Sequence, residues 1–377
     1  MRNLNKILIF LISFEIIFGG GGRLLGPLGV PPLRYILFFL SIIVLFLNLL
    51  FLQTKTKYSV VILVLMLFIL PMLGILIGFA RGNPVQDIFF DLQPFLYMLI
   101  IPYFCFMSKE LNNYSLLKFQ QLVKVFSILA SVTYLFYVLL LKTGYLDFNL
   151  VYNVMSASGE FFFRPSGAFF AKSFFFIGIG AIVFFCEKKY LYFLLCMVTI
   201  FLTEARGVFL FTGLAVVFAS FKINSISKNM VLLSTIIIAM LGLLIVVGSR
   251  GADSDSVRIN DFKFVYDSLK SWNIFFGEGF GAAISGKGRI EVVPLEIFYK
   301  IGFIGLVISI LPLLKLIHYN FSSANSLLNM QLACSLIYGL TVSITNPFIY
   351  TPMGIYLISI ALISLTTSKP VDKNLQT

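Results

Sequence analysis

Residues 58–79 read YSVVILVLMLFILPMLGILIGF, an apolar run without one charged side chain. An α-helix rises about 1.5 Å per residue, so a run of this length crosses the hydrocarbon core of a bilayer. Its flanks differ in kind. Lys55 and Lys57 precede it, and Arg81 follows it. Outward from this run, comparable segments recur along the whole chain, roughly over 5–18, 33–52, 92–107, 119–141, 166–186, 189–203, 206–221, 230–248, 292–314, 328–345 and 352–367. None alternates apolar and polar residues as a porin strand would. The pattern predicts an all-α polytopic integral membrane protein with about twelve transmembrane helices.

Composition supports that class. The 377 residues are 59% hydrophobic and 12% charged, with mean hydropathy +0.99, far outside soluble usage. The first run enters the Gly-rich stretch 19–22 without a small-residue cleavage site, so it is expected to be retained as a span. Cys105, Cys186, Cys196 and Cys334 all lie in apolar runs, with no disulfide or zinc spacing. The net charge of +12 is a topology signal here and does not point to a nucleic-acid partner.

Charge then orients the spans. The loop 53–57 (QTKTK), the turn Glu187–Lys189, the stretch 222–228 and both termini carry Lys or Arg with few acids. An even number of spans places all of them on one side, the cytoplasm. Lys and Arg together divide evenly between the faces only because the loop 249–291 is rich in both; without it the excess lies inside. Two outer segments are large, 142–165 and 249–291, and only the second is expected to hold structure of its own. From Ser254 to Trp272 it reads as a short amphipathic helix, capped by Ser254 or Asp255, with Phe262, Val265, Tyr266 and Leu269 on one face. Trp272 suits an interface anchor. No internal repeat of fixed period is visible.

This threading concentrates arginine on the outer face. Arg23, Arg34, Arg81, Arg164, Arg206, Arg250, Arg258 and Arg289 map there, and only Arg2 does not. A guanidinium stays charged and grips phosphate with two parallel hydrogen bonds, so an arginine-rich face is a candidate site for a phosphorylated ligand. The blander reading is that such arginines are solvated or paired. Arg23 and Arg34 flank a Gly/Pro loop as headgroup anchors. Arg206 lies in Thr203–Gly207, a tight turn between two spans, with Glu204 as its expected partner. Arg164 stands at the expected mouth of the sixth span.

Acids are fewer. Glu291 and Glu296 lie where the long loop re-enters the membrane. Either one, partly buried, could act as a base, or each could simply pair, Glu296 with Arg289 or Lys300. Asp253–Ser254–Asp255 has the form of a metal-binding DxD, but it reads better as a helix cap, and no metal or cofactor is expected. Gly277–Gly281 follows no strand and is no dinucleotide fingerprint; it allows a tight turn or close backbone approach. His318, the one histidine, falls on the inner face.

Four stretches carry a resemblance. They are Arg164–Phe169, Thr203–Gly207, Arg258 with Phe276–Gly281, and Leu295–Leu306. In order and spacing they resemble the bacterial O-antigen polymerase (Wzy) family, within the O-antigen ligase/polymerase superfamily, over about 160–310. The resemblance implies a GT-C-like helical fold in the bacterial inner membrane, with both termini cytoplasmic and the active site and the loop 249–291 periplasmic. It implies a growing glycan on undecaprenyl pyrophosphate as donor and the non-reducing end of another lipid-linked repeat unit as acceptor. A chain-length regulator, a flippase and membrane lipids are the implied partners. Arg164, Arg206 and Arg258 would hold the pyrophosphate, followed by Arg250, Arg289 and Arg81. Similar ligases carry His-Asn where this chain has Glu291–Val292, which argues against a ligase and makes Glu291 the candidate base. The rival class is a flippase of the same lipid-linked sugars. It should show two related halves and charges at mid-membrane, and neither is evident.

Overall fold

The computed structural model describes residues 2–20, 33–51, 57–156, 161–164, 166–222, 253–269, 272–284, 290, 292–322 and 327–367. Within them the chain is a helical bundle. Its helices are α1 (Arg2–Gly19), α2 (Leu33–Phe51), α3 (Tyr58–Ala80), α4 (Val85–Leu96), α5 (Ile100–Cys105), α6 (Lys109–Lys142), α7 (Phe148–Ser156), α8 (Phe175–Cys186), α9 (Tyr190–Leu202), α10 (Arg206–Lys222), α11 (Asp253–Ser268), α12 (Asn273–Phe276), α13 (Val293–Ser322), α14 (Leu327–Val342) and α15 (Pro352–Thr367). Among the described residues, five stretches are long and apolar enough to cross a membrane: α2, α3, α4 through α5, α6 and α13. Shorter apolar helices pack among them, and α8 is buried along its whole length.

Helices meet closely where small residues allow it. Gly180 in α8 leaves room for the Ser127 hydroxyl of α6, which donates to the Phe176 carbonyl at 3.1 Å. Asn5 and Asn48 exchange two amide hydrogen bonds at 3.0 Å between α1 and α2, and Tyr103 donates to Asn5 at 3.2 Å. Each such interhelical bond contributes about 0.6 kcal/mol in a membrane.

The two ends of the bundle are chemically distinct. Arg2 and Lys6 pair with Glu110 at one end. There too, Lys124 and Lys189 pair with Glu187, and Lys57 donates to the Leu365 carbonyl at 2.5 Å. The opposite end gathers the α3–α4 corner, the segment 143–174, the α9–α10 turn, α11, α12 and the connection 343–351.

Several expectations need correction. The span expected over 166–186 begins later. Phe161–Phe163 (β1) and Phe169–Ala171 (β2) pair antiparallel, with Phe162 opposite Phe170, so the chain is not purely helical. A 3-10 turn over Lys172–Phe174 then leads into α8. The cause is local: Gly167 (φ +84°) closes a tight turn, Phe169 packs on Tyr134 and Tyr137 of α6, and Phe161 packs on Phe169. Together with α7 this gives 143–174 structure that was expected only of 249–291. The span expected over 92–107 is two helices joined by a 3-10 turn at Tyr97–Leu99, following Pro94. The span expected over 230–248 lies outside the described residues, as do the loop 53–56 and most of 222–228. α11 ends at Ser268, short of Trp272, and its faces divide differently. Val265 is buried, whereas Ile259, Phe262 and Tyr266 form the exposed apolar stripe. The side chains expected to cap it, at 254 and 255, are outside the described set.

Candidate functional site

The site is built around a break in α13. Gly302 has φ +73° and ψ −168° inside that helix, a conformation that suits glycine. The break takes the Tyr299 and Lys300 carbonyls out of the helical ladder. Glu278 and Gly279 donate their backbone N–H groups to these two carbonyls, at 2.9 and 2.7 Å. Irregular backbone at this depth is tolerated only when another part of the protein satisfies it, and the loop 277–281 does so. The loop wedges between α13 and α3. Phe280 donates to the Gly74 carbonyl at 2.9 Å, and a Cβ on Gly277 would come within 2.5 Å of the Lys300 carbonyl carbon. Asn83 holds the loop from outside, donating to the Glu278 and Phe280 carbonyls at 2.8 Å each. The glycines thus serve close backbone approach, toward protein.

Beneath this loop lies an ion triad. Lys300 Nζ is 2.5 Å from Asp91 Oδ1 and 3.0 Å from Glu296 Oε1. Asp91 Oδ2 accepts from the Gly281 N–H at 2.7 Å. Lys300 and Asp91 are only 3% and 6% exposed, so water does little to screen them. Glu296 precedes Lys300 by one helical turn, the favourable order for such a pair. The expected Glu296–Lys300 pairing is present, and Asp91 joins it unforeseen. The signal was an acid inside an apolar segment of membrane-spanning length.

The connection Ser343–Thr351 is the other half of the site. Asn346–Pro347 turns the chain between α14 and α15. Ser343 caps it, accepting the Val293 N–H at its carbonyl (3.3 Å) and the Ile349 N–H at its hydroxyl (2.9 Å). Arg258 Nη2 donates to the Thr345 carbonyl at 3.3 Å. From the other side, Gly207 packs so tightly on the Thr345 hydroxyl that a Cβ there would overlap it. Arg258 of α11 and the Arg206–Gly207 start of α10 therefore meet at one residue.

Arg206 itself does not pair with Glu204 as expected. Its Nε and Nη2 are buried and have no hydrogen-bond partner among the described residues. Glu204 instead adopts φ +55°, a left-handed conformation uncommon outside glycine, which turns α9 directly into α10. Arg164 sits in the β1–β2 turn. Its N–H donates to the Ala168 carbonyl at 2.8 Å, and Tyr137 anchors the turn through the Gly167 carbonyl at 2.8 Å. The charges of Arg164 and Glu204 both act on the Tyr134 hydroxyl, which donates to the Leu202 carbonyl at 3.1 Å. Arg164 thus stands beside the α9–α10 turn, at the same end of the bundle as Arg206 and Arg258.

The remaining candidates part company. Arg81 donates to Asn273 Oδ1 at 2.6 Å and to the Gly277 carbonyl at 3.4 Å, so it holds the loop. Arg34 lies over its neighbour Tyr35 and faces Glu15. Glu15, buried in α1, was not singled out in the sequence; among the described residues its Oε1 has no hydrogen-bond partner. Arg23, Arg250, Arg289 and Glu291 lie outside the described residues. No group of three or more His, Cys, Asp or Glu is gathered among the described residues in a form that would hold a metal ion.

No protein-family model matches the chain. It is 43% identical over 363 residues to an O-antigen polymerase of Shigella flexneri, an alignment covering 96% of this chain and 95% of the relative.

Proposed function

The chain belongs to the O-antigen polymerases, multi-pass membrane enzymes that polymerise glycan repeat units for lipopolysaccharide, and from that premise we propose how its residues perform the transfer. The donor is a growing glycan on undecaprenyl pyrophosphate, and the acceptor is the non-reducing end of another lipid-linked repeat unit. An acceptor hydroxyl oxygen attacks the donor's anomeric carbon. The bond from that carbon to the pyrophosphate oxygen breaks as the new glycosidic bond forms. The hydroxyl proton passes to Glu291, and undecaprenyl pyrophosphate leaves as the anion. Arg164, Arg206 and Arg258 neutralise its growing charge, an electrostatic role that requires no metal. Arg250 and Arg289 belong to the same loop region and are assigned a supporting role.

One observation carries this reading. Two buried nitrogens of Arg206 have no protein acceptor among the described residues, beside a second arginine fixed on Thr345. A buried donor without an acceptor costs about 1–3 kcal/mol, more when charged, and a phosphate oxygen supplies the acceptor. In this proposal the enzyme lies in the bacterial inner membrane, with its termini in the cytoplasm and the arginine end in the periplasm. A flippase and a chain-length regulator are its proposed neighbours.

The test is purified protein incubated with one lipid-linked repeat unit in the presence of EDTA. A ladder of products supports a metal-independent polymerase, whereas translocation without a ladder supports a flippase. Under the same conditions Glu291→Gln should slow elongation by about 10²-fold or more. A Gln variant that elongates at the wild-type rate removes Glu291 as the base.

A further inference from the structure

No arginine is among the residues lining the pocket beneath the loop 277–281, which has a different character from the arginine site. With its open mouth the pocket takes in ≈ 580 Å³ of space, the adjoining solvent included. Phe95, Phe280 and Tyr350 form one aromatic wall, with ring centroids 5.5 Å apart for Phe95–Phe280 and 5.4 Å for Phe95–Tyr350. Its charged groups are Asp91, Glu296 and Lys300, two carboxylates and one ammonium. The surplus negative charge disfavours a phosphate. It suits a neutral molecule that donates hydrogen bonds.

Most polar atoms in the lining are already committed. Both Asp91 oxygens are used, one by Lys300 and one by the Gly281 N–H. The Tyr350 hydroxyl donates to the Ser309 carbonyl at 3.0 Å, and the Thr351 hydroxyl donates to Phe348 at 2.6 Å. Glu296 is the most exposed member of the triad, at 17%, and Lys300 holds only its Oε1. Its Oε2 is the acceptor left facing the pocket. Aromatic rings and an available carboxylate oxygen in one pocket suit a sugar ring. A sugar ring offers an apolar C–H face to stack on aromatic rings and hydroxyl edges to donate to a carboxylate.

We propose that this pocket binds a sugar ring of the acceptor repeat unit, with Glu296 Oε2 accepting from a sugar hydroxyl and Phe95 and Phe280 stacking on the ring. The assignment rests on the polymerase reading. It adds an acceptor site to the pyrophosphate site, and the connection Ser343–Thr351 relates the two. Thr345 holds Arg258, and Tyr350 and Thr351 line the pocket only a few residues later. Donor phosphate and acceptor sugar would then lie on either side of one short segment. Asp91 and Lys300 are positioning residues that fix the rotamer of Glu296.

Binding of the free oligosaccharide separates this proposal from the polymerase reading. The probe is the repeat-unit oligosaccharide released from its lipid and phosphate by mild acid, titrated into the full-length protein in nanodiscs and followed by saturation-transfer NMR. The wild-type protein should bind it. Glu296→Gln and Phe95→Leu should weaken binding at least tenfold, and Arg206→Lys should leave it unchanged. Wild-type affinity in folded Glu296→Gln overturns the proposal, even if the wild-type enzyme makes a normal ladder. If Glu296→Gln does not fold, Phe95→Leu decides: undiminished binding there overturns it equally. Binding without any ladder would keep the sugar site and remove the polymerase reading.

Discussion

Arg258 donates to the carbonyl oxygen of Thr345 across 87 residues of sequence. That bond ties α11 to the connection between α14 and α15. Gly207 abuts the hydroxyl of the same threonine. The guanidinium of Arg258 and the residue that follows Arg206 thereby meet at one threonine. A guanidinium positioned this way is pre-organised, so little reorganisation is needed when an anion arrives.

The break in α13 should tolerate no side chain. Gly302→Ala combines a positive-φ, extended-ψ backbone that only glycine adopts readily, costing roughly 1–3 kcal/mol, with overlap on the Phe275 carbonyl. Gly82 also has a positive φ, at +74°, but a Cβ there meets nothing within 4 Å. Thermal unfolding in detergent should therefore show a clearly larger loss for Gly302→Ala than for Gly82→Ala. Equal shifts would mean that the loop 273–281 does not pack on the break.

The buried triad makes an unusual prediction about sign. Lys300→Met leaves two carboxylates facing one another and should lose about 3–5 kcal/mol. Replacing the pair together, as Asp91→Leu with Lys300→Met, should lose less than Lys300→Met alone, because an apolar pair carries no stranded charge. Additive losses in chemical denaturation would contradict a coupled ion pair.

At the other end of the bundle, Glu187 gives a pH signature. Burial alone would raise its pKa, but hydrogen bonds and charges from Lys124 and Lys189 outweigh that and hold it below the ordinary value. A folded-state pKa that is depressed contributes stability above the unfolded value, about 4.3, and loses it as pH falls through the folded value. Glu187→Gln should thus destabilise the protein at pH 7, and the gap to wild type should close below about pH 4. A gap independent of pH would place the effect in packing.

Much of this was legible in the chain. Runs such as 58–79 announced their helices because nothing but a membrane accommodates them. Lys57 and Lys189 lie at one end of the bundle, and of the two partners expected for Glu296, Arg289 or Lys300, the structure shows Lys300. The β1–β2 hairpin was not legible. Its phenylalanines read as the start of a span, since hydropathy alone cannot tell a short apolar strand from helix. Asp91 was passed over because its partner lies 209 residues away. The same holds for Arg258 and Thr345: convergence between distant segments leaves no periodic trace. The face of α11 was misassigned because both of its sides carry apolar residues, one for protein and one outward.

The central claim is that arginine on this face grips the leaving pyrophosphate through the guanidinium fork. It is tested most directly by the elongation rate of purified Arg206→Lys on a defined lipid-linked repeat unit. Lysine keeps the charge but not the paired hydrogen bonds. The account predicts a rate about 10²-fold below wild type, in a protein that unfolds at the wild-type temperature. A full ladder formed at the wild-type rate would contradict it.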